Sequence, residues 1–146
     1  MRFRVYAATA LIAWSAGVVG AQKPLTPEEL DKIMKKAGPA MQASQKAMGA
    51  SKYAEIKTQM AIVRQAVIDS QPFWIEHKRE DALKFNKDTL AKLDAFDKTI
   101  ATEPVDAAAA GAALKAVGAA CRSCHQVYRA TDADNNFILK PGSLGN

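Results

Sequence analysis

Apolar residues along most of the chain recur in steps of three and four, and proline- or glycine-bearing breaks divide the pattern into four predicted helices. Thr26-Pro27-Glu28-Glu29 reads as a capping box with proline at the first helical position, which starts the first helix sharply. Its apolar face is predicted to carry Leu30, Ile33, Met34, Met41 and Met48, and Gly38-Pro39 is expected to kink it rather than stop it. A second helix is predicted from about Ser51 to Asp69 along Tyr53, Ile56, Met60, Val63 and Val67. Gln71-Pro72 is expected to end it, leaving Phe73, Trp74 and Ile75 as an apolar knot in the next connection. The third is predicted over about Glu80 to Thr102, with Leu83, Leu90, Leu93, Phe96 and Ile100 facing inward. Pro104 is expected to open the fourth, whose run Ala107 to Ala120 is rich in the best helix former.

Four helices of about twenty residues, each roughly 30 Å long and joined by short connections, predict an all-α, antiparallel up-down-up-down four-helix bundle. No strand pattern competes. The seam of the last helix runs Leu114, Val117, Cys121, Cys124 and Tyr128, so both cysteines of the chain lie on the stripe that should be buried.

That placement gives the motif Cys121-Arg122-Ser123-Cys124-His125 its weight. C-x-x-C-H is the attachment signature of c-type haem: two thiols add to the two vinyl groups, and the adjacent histidine ligates the iron. On a helix the three side chains fall at i, i+3 and i+4 and point the same way. Three other chemistries use the same residues. A thioredoxin-like redox pair is expected at a strand-to-helix turn, whereas the residues before Cys121 read as helix. A zinc site could be assembled from Cys121, Cys124, His125 and the only other histidine, His77. A plain disulfide is the third.

Length and charge narrow the class. The 146 residues make one domain by size. Arg2 and Arg4, the apolar run Val5 to Val19, and Val19-Gly20-Ala21 read as a secretory leader cut after Ala21. An uncleaved anchor is the rival, but a run of about fifteen residues is short for a membrane span of roughly 20. Export to the periplasm agrees with a motif whose thiols are joined to haem after translocation. Removing residues 1–21 leaves 18 basic and 15 acidic residues, a formal charge of +3, which argues against a nucleic-acid partner and points weakly to an acidic one. No nucleophile with a base, paired-carboxylate site or phosphate loop is recognisable, so no enzymatic turnover is expected.

The chain resembles the class II c-type cytochromes, the family of cytochrome c′ and its low-spin relatives. The resemblance rests on Cys121 to Arg129, which reads C-x-x-C-H-x-x-(aromatic)-(basic), and on Ile33-Met34-Lys35 in the first helix; it covers roughly residues 25–129. It implies one covalent haem c on the last helix of the bundle and often a homodimer. It also implies that His125 is the proximal ligand, with Arg129 near it. A methionine at the position of Met34 implies a six-coordinate low-spin iron suited to electron transfer with redox partner proteins. A family member whose residue there only packs over the haem is five-coordinate and binds small gases such as NO or CO, which is the alternative reading. Buried methionines are often core filler. Met41 and Met48 follow Met34 at seven-residue spacings on the same face, and His77 is a further candidate, though expected to be solvated among charged neighbours.

Residues 130–146 extend beyond the usual family end. Asp132 to Asn136 resembles a calcium loop only faintly, since Phe137 stands where glycine is needed. The expectation is a tail that folds back so that Phe137, Ile138 and Leu139 cover the bundle or a haem edge, with partner docking through these residues as the alternative.

Overall fold

The computed structural model describes residues 24–145; the leader assigned to residues 1–21 lies outside them. The described residues are 74% helical, in four helices. They are α1 (Pro27–Gly49), α2 (Tyr53–Glu76), α3 (Glu80–Ile100) and α4 (Ala107–Tyr128). Each packs on the next, α1 on α2, α2 on α3 and α3 on α4, while α1 and α4 touch far less than α1 and α2 or α3 and α4.

The starts of α1 and α4 follow from their caps. Thr26 Oγ1 accepts from Glu29 N at 3.2 Å, and Glu29 Oε2 accepts from Thr26 N at 2.7 Å, so two of the orphan donors at the helix start are satisfied. In α4 the cap is Asp106, whose carboxylate accepts from Ala108 N and Ala109 N, and Pro104 lies before the helix rather than opening it. Gly38-Pro39 does not stop α1, which is continuous from Pro27 to Gly49.

The second helix corrects the sequence reading: α2 runs through Pro72 to Glu76 and carries Phe73 and Trp74 in its last two turns. Proline in a helix loses one backbone bond and crowds the turn before it. Burying Phe73 and Trp74, each worth about 2–3 kcal/mol on transfer from water, outweighs that cost. The spacing Val63, Val67, Ser70, Phe73/Trp74 continues the earlier stripe, with Ser70 hidden in it. Ser70 Oγ donates to Val67 O at 2.8 Å and accepts from Asn86 Nδ2 at 2.9 Å, so the buried hydroxyl and amide satisfy each other between α2 and α3.

Two hydrophobic clusters fill the domain. The central one joins Ala40, Ala47, Ile56, Met60, Val63, Leu93, Phe96, Leu114 and Val117, with Met41, Met48 and Cys121 packed on it. The other joins Leu30, Phe73, Trp74, Ala82 and Tyr128, with Met34, Cys124, Leu139 and Leu144 packed on it. The buried face of α1 consists of Leu30 with small residues, Ala40, Ser44 and Ala47; Met34, Met41 and Met48 are half-buried beside them.

Beyond α4 the chain departs from the expected strandless fold. Arg129–Thr131 (β1) and Phe137–Leu139 (β2) pair antiparallel, Ala130 opposite Ile138. The acidic stretch closes the hairpin: the Asp132 carboxylate accepts from Asp134 N, Asn136 N and Asn136 Nδ2. Of the three residues expected to cover the bundle, only Leu139 packs inward, joined by Leu144; Phe137 and Ile138 stay 53% and 37% exposed.

Candidate functional site

Because α4 is helical through Tyr128, Cys121, Cys124 and His125 lie along one side of it, one turn apart. Both thiols are free and half-buried, and His125 is half-buried as well. The stripe crosses from one cluster to the other: Cys121 packs on the central cluster, as Met41 and Met48 do, and Cys124 packs on the aromatic one, as Met34 does. The methionine that the family register selects is thus the one sharing packing with the cysteine adjacent to the histidine.

The electrostatics suit neutral groups. Burial pushes the Cys124 thiol up to about 12, and the neighbouring Cys121 and Asp81 add to the shift. Burial also raises Cys121, partly offset by Arg122. A dithiol redox couple works through a thiolate with a depressed pKa, the opposite of what this environment provides. His125 is lowered, first by burial and then by the charge of Arg129, a shift that favours the neutral imidazole, the form that can ligate a metal.

Arg129 itself is not helical. Its backbone is extended, φ −109° and ψ 135°, and its guanidinium stands 4.0 Å over the Phe137 ring. The helical i+4 contact with His125 expected from the sequence therefore does not apply; Arg129 acts on His125 through charge.

A network missed in the sequence borders Cys124. Tyr128 Oη donates to Asp81 Oδ2 at 2.5 Å and accepts from Arg79 Nε at 3.0 Å, while Arg79 Nη2 also reaches Asp81 Oδ2 at 3.0 Å. Hydrogen bonds from Arg79 and then Tyr128 hold the Asp81 carboxyl down at about 2, and burial together with the Asp81 bond lifts Tyr128 to about 12. The one signal available was Tyr128 itself, a predicted core tyrosine whose hydroxyl needs a partner. Behind it Trp74 packs at 4.7 Å between ring centroids, and Trp74 Nε1 is a buried donor with no acceptor.

No family model, curated protein or solved structure matches the chain. Among the described residues no three of His, Cys, Asp and Glu come together as a metal site, so the zinc set of Cys121, Cys124, His125 and His77 is not assembled. His77, expected to be solvated, is half-buried at the end of α2, its ring stacked on Phe73 at 4.2 Å and Nδ1 2.9 Å from Phe73 O. Among the described residues no helix is long and apolar enough to cross a membrane.

Cys121, Cys124 and His125 could hold a c-type haem, and Met34 packs on the same cluster as Cys124. The orphan Trp74 Nε1 fits such an occupant: a buried N–H without an acceptor costs about 1–3 kcal/mol, and a cofactor bearing carboxylates or ring acceptors would bring one to it.

Proposed function

We propose that the chain is an exported, periplasmic monohaem c-type cytochrome of the class II kind, acting as an electron carrier between redox partner proteins. The observation that carries this reading is that Cys124 on α4 and Met34 on α1, both half-buried, pack against one hydrophobic cluster, with His125 next to Cys124 in the chain. In this reading the four helices run up-down-up-down, Cys121 and Cys124 would hold a haem c covalently, and His125 and Met34 would be the side chains that ligate its iron.

A haem held there would supply an iron centre that gains and loses one electron. The chain's own residues do the rest. His125 offers a neutral nitrogen because burial and Arg129 disfavour its protonation. Met34 offers a soft thioether, which favours the reduced metal. Phe73, Trp74, Leu30 and Tyr128 exclude water from one side of the site. Asp81 and Arg79 fix Tyr128, and with it the last turn of α4 that carries His125.

The test is direct: the chain is expressed with its leader in a host that matures c-type cytochromes, then purified and denatured. Haem that stays with the polypeptide through denaturation and is lost in a Cys121→Ala, Cys124→Ala variant is the expected result. A mature protein free of covalent haem overturns the proposal. A high-spin holoprotein that takes up CO at once would move the reading to the five-coordinate gas-binding alternative.

A further inference from the structure

All fifteen acidic residues lie outside two stretches, 38–51 in α1 and its end, and 107–128 in α4. These stretches carry Lys46, Lys115 and Arg122 and no carboxylate. They also form the sides of an open cleft of about 220 Å³, with Gln45 and Met48 on α1 facing Leu114, Lys115, Gly118 and Arg122 on α4. Lys115 and Arg122 are both exposed and have no ion-pair partner among the described residues, in contrast to Lys35, Arg64 and Arg79, each of which meets a carboxylate. The Arg122 guanidinium lies back along the helix over Gly118, where a Cβ would be in ordinary contact with Arg122 Nη1 at 3.6 Å and with Met41 Cε at 3.5 Å.

The same cleft adjoins Cys121. Arg122 follows it in the chain and its charge bears on the Cys121 thiol, while Met48, in the cleft wall, packs on the same cluster as Cys121. If the functional reading above holds, this is the cofactor edge bonded to Cys121, so the one-signed rim stands where electrons can leave by a short path.

We propose that the α1–α4 cleft is the docking face for an acidic protein partner, one of whose carboxylates seats between Lys115 and Arg122 beside the Cys121 edge. This deepens the cytochrome reading and rests on it. Like-signed charge around a recess raises the local concentration of an oppositely charged partner and speeds encounter, an effect that salt screens. The apolar floor of Met48, Leu114 and Gly118 gives the encounter a surface that a bare lysine patch lacks.

The experiment uses haem-loaded, oxidised holoprotein, its covalent haem verified first. Reduction rates are measured at low ionic strength with anionic iron(II)–EDTA and with cationic hexaammineruthenium(II), for the native chain, Lys115→Glu, and Lys57→Glu on α2 with the same change of net charge. Lys115→Glu should slow the anionic reagent about ten-fold while Lys57→Glu slows it by no more than about two-fold, and the cationic reagent should not be slowed by either. Poly-L-glutamate should compete with iron(II)–EDTA on the native chain and lose that effect on Lys115→Glu. Equal slowing by the two substitutions, or undiminished competition on Lys115→Glu, overturns the docking face and leaves the cytochrome reading intact. A chain without covalent haem overturns the cytochrome reading, and is seen before any rate is taken.

Discussion

The two hydrophobic clusters of this domain are built from different materials. The central cluster is aliphatic, with Ile56, Met60, Val63, Leu93, Leu114 and Val117 closing around Phe96, and it joins all four helices. The other is aromatic and polar-edged, with Phe73, Trp74 and Tyr128, a hydrogen-bonded Arg79–Asp81 pair at its rim, and an indole N–H left without an acceptor. Packing that is complete in itself makes the fold; packing with an unsatisfied donor, a half-buried methionine and a half-buried histidine alongside is suited to receiving something. The stripe of α4 ties them together, since Cys121 belongs to one and Cys124 to the other.

The largest expected effect separates the two at once. A Cys121→Ala, Cys124→Ala variant should lose all covalent haem, checked by haem staining after denaturation. Substituting only Cys124 should leave a single thioether at Cys121 and an altered spectrum, because one vinyl group then stays unreacted. Phe96→Ala comes next: emptying a fully buried phenylalanine site in the central cluster should cost about 3–5 kcal/mol in denaturant unfolding, with the ligand-field spectrum of the remaining folded protein unchanged. A spectral change there would mean that the two clusters are not separable.

How much of this was legible in the sequence follows the same division. The Thr26–Glu29 capping box and the Leu114-to-Tyr128 stripe are local patterns, and both occur in the structure as read. The end of α2 was misread because Pro72 is a strong local stop signal, whereas the burial of Phe73 and Trp74 that overrides it is tertiary. Ser44, Ser70, Asn86 and Thr89 break the apolar stripes yet are buried, and their partners, among them Ala40 O for Ser44 and Val67 O for Ser70, cannot be seen in a hydropathy pattern. The Arg79–Asp81–Tyr128 network joins residues 47 apart at Asp81 and Tyr128, so the seam position of Tyr128 shows that its hydroxyl needs a partner but not which one. The hairpin was hidden because its strands are only three residues long.

A smaller effect tests the rim of the aromatic cluster. Tyr128→Phe removes one hydroxyl that bonds both Asp81 and Arg79, and should cost about 1–2 kcal/mol in denaturant unfolding. The pH dependence is smaller still. Asp81 is held at about 2 in the folded protein against 3.8, so its contribution is present above pH 3.8 and is lost as pH falls from there through about 2. With its side chain 48% exposed, solvent screening keeps that contribution modest. Tyr128 runs the other way: raised to about 12, its protonated form is favoured by folding, and stability should fall as pH climbs from 10 through about 12. Asp81→Asn should flatten the acid limb of a pH-melting series, and an unchanged acid limb would remove Asp81 from the account.

Met34 and its relation to His125 lie at the centre of the account, and one measurement addresses them most directly. The absorption spectra of purified oxidised and reduced holoprotein are compared with those of Met34→Ala, with Met41→Ala as the matched control. The expected result is a low-spin native spectrum with the weak far-red charge-transfer band of a thioether–iron bond, conversion of Met34→Ala to a high-spin form that binds CO, and no change in Met41→Ala. A native-like spectrum in Met34→Ala would contradict it.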